Sequence, residues 1–295
     1  MRNRKPTLME KQHPFYFALP ATIVFFIFFI LPILLGVYAS FTDWNTFSSK
    51  IRFVGWENFK ELFVGGRLLN SLKASILFTI TVVVFENLIG FSLGLALHRQ
   101  SRINELFRAV FFFPCVVAIV VWGFLFLTIM STKGLLNEFL SAVAGTKVRI
   151  GWLASREYTI IVVGMVSVWI WSGFQMMIYV TSINAIPPEL LEAARLDGVG
   201  FFRMIRDIII PMIIPGMTMC IVLTIIGGLK AFDIVVVLTG GGPGRSTEVM
   251  NKYIFEMFSE GYFGFTAAAN FLLIVFVSLI AFPVYIQLSK RAVQL

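Results

Sequence analysis

Five stretches of this sequence contain no Asp, Glu, Lys or Arg: 14–42, 109–132, 158–188, 208–229 and 261–289. The hydrocarbon core of a bilayer is about 30 Å thick, and a helix of roughly 20 apolar residues crosses it. Each stretch is long enough. A sixth candidate, 74–97, contains one charge, Glu86. Composition agrees: 58% of residues are hydrophobic and 14% charged, against about 45–50% and 25% in soluble domains. This excludes a disordered chain, a disulfide scaffold and an ordinary soluble enzyme. The expected fold is an all-α membrane protein of six transmembrane helices. The spans fall at about 14–41, 70–97, 108–131, 157–182, 209–236 and 262–289.

Basic residues set the expected orientation. Arg2, Arg4, Lys5 and Lys11 precede the first span, Arg99, Arg102 and Arg108 follow the second, and Arg195, Arg203 and Arg206 follow the fourth. Lys290 and Arg291 follow the last. The other loops hold fewer basic residues over more sequence. Positive residues favour the cytoplasmic side, so both termini are expected there: a cytoplasmic segment 1–13, a transmembrane body 14–290 and a tail 291–295. The first apolar run is too long for a signal peptide and ends without a good cleavage site, which predicts an uncleaved first helix. The net charge of +8 then reflects basic loops, and no nucleic-acid partner is expected. Cys115 and Cys220 both lie in apolar runs and make no disulfide framework.

The inner loop between the fourth and fifth spans, about 183–208, has its own pattern. Pro187 and Pro188 suit a first helical turn, and Glu189 suits the positive end of the helix dipole. Leu190, Leu191, Ala193 and Ala194 form a short apolar face, and Glu192 and Arg195 are spaced to pair. Asp197 precedes Gly198, which suits a left-handed C-terminal cap. A second short helix is expected from about Phe201. An interfacial amphipathic connector accounts for the second helix. Small residues beside the Glu192 carboxylate in the first helix instead suit close approach of another protein.

Several segments together carry a family resemblance. Glu192-Ala-Ala194, Asp197-Gly198 and Ile208-Ile-Ile-Pro211 resemble the cytoplasmic loop motif of binding-protein-dependent ABC-transporter permeases. Phe53-Val-Gly-Trp-Glu-Asn-Phe59 resembles an outer-loop signature of the carbohydrate-uptake branch, related to maltose-type permeases. Asn70 with Thr79, Phe107-Arg108 with Phe113-Pro114, Gly134-Leu-Leu-Asn137, Trp169-Ile-Trp-Ser-Gly-Phe174, Phe232-Asp233 and Leu238-Thr-Gly-Gly-Gly-Pro243 follow in the family's order. Val199 departs from the alanine more frequent there.

The resemblance implies a permease subunit of an ATP-driven importer in a bacterial or archaeal cytoplasmic (inner) membrane. It implies four partners: a second homologous permease, a pair of ATP-binding subunits, an extracytoplasmic solute-binding protein and membrane lipid. The cargo it implies is a sugar or oligosaccharide. The loop between spans four and five becomes a coupling helix against the ATPase. Glu189, Leu190, Glu192, Ala193, Ala194, Arg195, Asp197 and Gly198 are its contact and turn residues. The chain itself is expected to be no enzyme and to bind no cofactor or metal, with ATP and Mg held by the partner subunits.

The Gly-rich segment 239–245 is not a phosphate loop. The pattern Gly-x-x-x-x-Gly-Lys-Ser/Thr needs Gly at 239 and Lys at 245, where the chain has Thr239 and Arg245. Candidate transport-path residues are Glu86, Gln175, Tyr179, Lys230 and Asp233. Each has a structural alternative. Glu86 suits a helix–helix hydrogen bond as well as a polar path, and Gly90 and Gly94 on the same helix suit close packing. Lys230 and Asp233 are spaced to pair with each other. The rival function is an ion-gradient-driven secondary transporter of a small polar solute. It would need more intramembrane ionisable groups than Glu86 alone.

Overall fold

A computed structural model describes residues 18–290. The expected cytoplasmic segment 1–13, the first residues of the first span and the tail 291–295 lie outside the described residues. Among those described, the chain is helical, with one isolated antiparallel bridge between Thr42 and Phe53.

In chain order the helices are α1 Leu19–Ala39, α2 Glu57–Phe63, α3 Arg67–Leu97, α4 Arg102–Val116, α5 Ile119–Ile129 and α6 Leu135–Ala144. Then come α7 Thr159–Asn184, α8 Pro188–Leu196, α9 Phe201–Met212, α10 Ile214–Leu229, α11 Asp233–Thr239, α12 Met250–Ser259 and α13 Phe263–Ser289. Four of them, α1, α3, α7 and α13, are long and apolar enough to cross a membrane alone. Two bent pairs, α4 with α5 and α9 with α10, pass the same test when each pair is taken together.

The bends of the two pairs fall within the spans expected at about 108–131 and 209–236. The α4–α5 axis turns by 94°. Pro114 cannot donate to the carbonyl one turn back, and Val117 and Ala118 follow in extended geometry. The Pro114 carbonyl, left without an intrahelical donor, accepts from Trp122 Nε1 at 2.7 Å. The α9–α10 pair turns by 75°. Its break is at Ile213, between Pro211 and Pro215. The fifth run also ends early: Lys230, Ala231 and Phe232 interrupt it before α11.

The described chain divides into two compact units. The smaller comprises 18–62 and Met257–Phe271. Asn58, buried in α2, donates through Nδ2 to the carbonyls of Ser40 and Thr42 at 2.9 and 2.8 Å. Phe41 packs against Phe53, Trp56 and Phe59. The amide of Gly264 donates to the carbonyl of Trp44 at 2.7 Å. The family-like segment 53–59 is therefore the clamp that closes the turn after α1.

The larger unit comprises Phe63–Glu256 and 272–290. Its most extensive helix pair is α3 against α7. Glycines permit the approach. A Cβ on Gly90 would lie 2.6 Å from Gln175 Cβ, and one on Gly94 would lie 2.7 Å from Tyr179 Cβ. Carbon atoms pack best at about 3.5–4.0 Å, so neither site admits a larger residue without parting the helices. Phe78, Val82, Val163, Val166, Ile170 and Val235 form one core where α3, α7 and α11 meet.

Candidate functional site: a polar cavity and an exposed short helix

The larger unit encloses a cavity of about 340 Å³. Its walls are α3, α7, α10 and the turn into α11. Glu86, Gln175, Lys230 and Asp233, four of the five path candidates, line it. Sequence spacing suggested that Lys230 and Asp233 pair. Among the described residues they make no ion pair; both side chains are exposed. The Lys230 carbonyl accepts from Asn251 Nδ2 at 2.6 Å, which fixes the turn instead.

The other end of the cavity is buried. Glu86 is 5% exposed and Gln175 is 3% exposed. Ser167 Oγ reaches Glu86 Oε1 at 3.5 Å, the outer limit of a hydrogen bond. Gln175 Nε2 donates to Thr224 Oγ1 at 2.6 Å. Thr224 in turn donates to the Cys220 carbonyl at 2.9 Å, one turn back on α10. The Gln175 side chain also lies within hydrogen-bonding reach of Glu86. Gln175 Oε1 is left buried with no hydrogen-bond partner among the described residues. Trp171, Phe174 and Phe232 supply aromatic surface around these groups.

Tyr179, the fifth path candidate, does not line the cavity. Its hydroxyl donates to Asn87 Oδ1 at 2.9 Å, and its ring packs edge-on against Phe91. It ties α7 to α3. Ser167 and Thr224 line the cavity and were not singled out from sequence; Trp171 and Phe174 also line it and stood out only within the family-like segment 169–174, not as path candidates. Ser and Thr in apolar helices usually bond their own turn, as Thr224 does, so nothing in the sequence marks those that also face a cavity.

The loop expected over 183–208 contains α8, with Pro188 at its start, Glu189 in its first turn and Arg195 in its last. Gly198 has φ +73°, the left-handed geometry that glycine adopts at little cost. The amides of Gly198 and Val199 donate to the carbonyls of Arg195 and Ala194. Glu189, Leu190, Glu192, Ala193, Arg195, Asp197 and Gly198 are exposed. Ala194 is not: it is buried among Tyr179, Ile183, Met204 and Ile213. Its small side chain seats α8 on its own chain, whereas Ala193 faces outward. Glu192 and Arg195 make no ion pair among the described residues. Leu196 and Phe202 beside this helix are 88% and 84% exposed.

Of three polar clamps, those at Arg108 and Asn137 were legible only as motif positions, and the one at Arg67 had no signal in the sequence. Arg108 gathers the carbonyls of Leu97, His98 and Arg99, the unsatisfied end of α3. Asn137, 1% exposed, donates to the carbonyls of Ser131, Thr132 and Ile150 and accepts from Ile150 N and Trp152 Nε1. Arg67 holds Glu248 through two hydrogen bonds of 3.0 and 2.6 Å and Glu256 at 2.6 Å, and its guanidinium lies over the Tyr253 ring. Lys252 also pairs with Glu256. Lys252 first, then Arg67, hold the Glu256 carboxyl below its ordinary range, against a smaller opposing effect of burial. The Gly-rich segment after α11 closes on itself: Thr247 Oγ1 meets Thr239 Oγ1 at 2.7 Å and bonds the Gly242 carbonyl at 2.7 Å.

Apolar helices of spanning length around a polar cavity, with an exposed amphipathic helix between two of them, define an integral membrane transport component. Residues 86–292 match the model for the binding-protein-dependent transport system inner membrane component, and the chain belongs to that family. It is 32% identical over 271 residues to the probable ABC transporter permease protein YurN of Bacillus subtilis (strain 168), covering 90% of this chain and 92% of that one. It is 27% identical over 290 residues to the multiple sugar-binding transport system permease protein MsmF of Streptococcus mutans serotype c, covering 96% and 97%. A chain in the crystal structure of a bacterial ABC transporter involved in import of the acidic polysaccharide alginate shares the fold, with TM-score 0.80, 22% identity and 94% coverage of each chain.

Proposed function

We propose that this chain is one of two transmembrane subunits of an ATP-driven importer that carries a sugar or oligosaccharide. An extracytoplasmic solute-binding protein delivers the cargo. The membership of the family carries the importer reading. The multiple-sugar system of the Streptococcus relative supports the cargo class.

On this reading the chain spans the membrane six times, with the bent pairs as single broken spans and both termini in the cytoplasm. Irregular backbone at membrane depth is tolerated where protein or a cavity surrounds it, which suits both breaks. Helix α8 is the coupling helix. Its outward residues Glu189, Leu190, Glu192, Ala193 and Arg195 meet a cytosolic ATPase subunit. Asp197 and Gly198 form its terminal turn, and Ala194 anchors it to the chain's own core. ATP-driven closure of two ATPase subunits moves the paired coupling helices together, and the rigid helices reorient the path. Such a transition is driven by a ligand that binds one state better than the other. Glu86, Gln175, Lys230 and Asp233 line the path in this subunit. Tyr179, bonded to Asn87, holds the wall behind it.

The test is purification of the chain from its native membrane in mild detergent, followed by reconstitution. Co-purification of an ATPase and a second permease, with uptake that needs ATP, is expected. Uptake by the chain alone, driven by an ion gradient without ATP, would overturn the reading in favour of a secondary transporter.

A further inference from the structure

Helix α6, Leu135–Ala144, has two unlike faces. Its polar side chains are taken up by its own loop. Asn137 Nδ2 donates to the Ile150 carbonyl at 2.9 Å, and its Oδ1 accepts from Ile150 N and Trp152 Nε1. Ser141 Oγ accepts from Val148 N at 2.8 Å and donates to the Asn137 carbonyl at 2.7 Å. Segment 148–152 therefore lies across that side and fixes the roll of the helix. Leu135, Phe139 and Val143 are spaced four apart and so share one face. They are left 67%, 65% and 71% exposed. Leu136 and Leu140 beside them are half-buried. A contiguous row of large apolar side chains on a surface marks an interaction site. A helix this short is marginal in water and depends on burial of such a face.

The geometry points to α6 as an interfacial helix that lays Leu135, Phe139 and Val143 into the boundary between phospholipid headgroups and acyl chains. Position, charge and size select a bilayer over a protein as the occupant. Residues 130–134 alone separate α6 from α5, which closes a bent pair of spanning length, and the chain enters the spanning helix α7 at Thr159. A segment tethered so closely to a span at its start stays near the edge of the bilayer. Lys133 precedes the helix, and Lys147 and Arg149 follow it. All three are exposed and make no ion pair among the described residues, and Glu138 is the one acid in 131–152. Such basic side chains reach phospholipid phosphates while their stems lie along apolar surface. A specific protein interface takes roughly 20–30 residues from each side. Three aligned side chains on a short helix with basic flanks instead suit insertion to a depth of about 5–10 Å. The inference goes beyond the importer reading: it holds for any cargo and for either orientation in the membrane.

The experiment uses the purified full chain with its co-purifying subunits, carrying Cys115→Ala so that no half-exposed thiol competes; Cys220 is buried. The protein is reconstituted in vesicles of equal phosphatidylcholine and phosphatidylglycerol. A nitroxide is attached to Phe139→Cys, to Val143→Cys and, as the reference in water, to Lys147→Cys. Electron paramagnetic resonance compares relaxation by oxygen, which partitions into acyl chains, with relaxation by a water-soluble nickel chelate. The comparison takes labelled proteins that co-elute with the same subunits and melt at the same temperature as the unlabelled chain. The oxygen-to-nickel ratio is expected to be several-fold higher at 139 and 143 than at 147. Nickel access at 139 and 143 equal to that at 147 overturns the inference, because the face then lies in water. Shielding of 139 and 143 from both reagents overturns it as well, because a protein surface then covers the face. In vesicles of phosphatidylcholine alone the ratio at 139 is expected to fall; a ratio independent of phosphatidylglycerol overturns the part assigned to Lys133, Lys147 and Arg149.

Discussion

Gly173 is where two helices touch through their main chains. It lies in α7, and a Cβ built on it would fall 2.5 Å from the carbonyl carbon of Phe111 and 2.9 Å from Phe112 Cα in α4. Normal carbon contacts are about 3.5–4.0 Å, so Gly173→Ala requires α4 to retreat by roughly 1 Å at the crossing. A clash with backbone has no rotamer to relieve it. The cost belongs at the upper end of overpacking, about 3 kcal/mol. Against it stands the helix propensity gained from glycine to alanine, about 1 kcal/mol. The net expectation is about 2 kcal/mol of destabilisation. Gly36 in α1 is the control, since nothing lies within 4 Å of its added Cβ; Gly36→Ala should be neutral or slightly stabilising. Denaturation by SDS in mixed micelles, followed by circular dichroism of the purified chain, measures both. A Gly173→Ala midpoint equal to or above that of Gly36→Ala would refute the close-approach argument. The same geometry implies wider damage, because α7 carries Gln175 two residues away.

Three further outcomes are expected. Glu256 titrates below its ordinary value of 4.5 in the folded chain. Its contribution to stability is therefore present above that value and is lost as pH falls through the lower, folded one. Melting temperature measured against pH should show an acid limb that Glu256→Gln reduces; an unchanged limb would dismiss the Lys252–Glu256–Arg67 clamp as a source of stability. Asn137→Ala removes every side-chain bond that ties Ile150 and Trp152 to the start of α6. Each is worth roughly 1 kcal/mol net, so hydrogen exchange over 131–152 should accelerate markedly, and wild-type protection there would count against the hub. Gly198→Val forces a β-branched residue to φ +73°, at roughly 1–2 kcal/mol or more. Membrane insertion should persist while ATP-dependent uptake falls, and wild-type uptake would exclude Gly198 from the coupling turn.

The sequence was most informative where chemistry is local. Runs with little or no charge predict apolar helices directly, and α3, α7 and α13 are helices of that kind. Pro187, Pro188 and Gly198 predict the limits of α8 because each restricts or frees the backbone in a known way. The bends within 108–131 and 209–236 had no signal in the sequence. Composition shows that a segment is apolar but not where it bends, and the proline that ends α4 is one of many in this chain. Side-chain pairing was least legible. Lys230 with Asp233 and Glu192 with Arg195 have pairing distances in sequence, yet neither pair forms an ion pair among the described residues. Exposed partners gain little from pairing. The Arg67–Glu248 pair that does form is long-range, and no spacing rule reaches across that separation. The Gln175–Thr224 relay was equally hidden, because it depends on how α7 meets α10.

The central claim is that α8 transmits the ATPase stroke from the cytoplasmic side. Its most direct measurement is site-specific crosslinking and labelling in intact cells, with Ala193→Cys and Arg245→Cys compared in otherwise cysteine-free protein. Both side chains are exposed, on α8 and in the Gly-rich turn respectively. The expected result is that the cysteine at 193 crosslinks to an ATPase subunit and resists impermeant reagent. The cysteine at 245 should react with that reagent from outside. Labelling of 193 from outside, or an ATPase crosslink at 245 and none at 193, would contradict both the orientation and the coupling role.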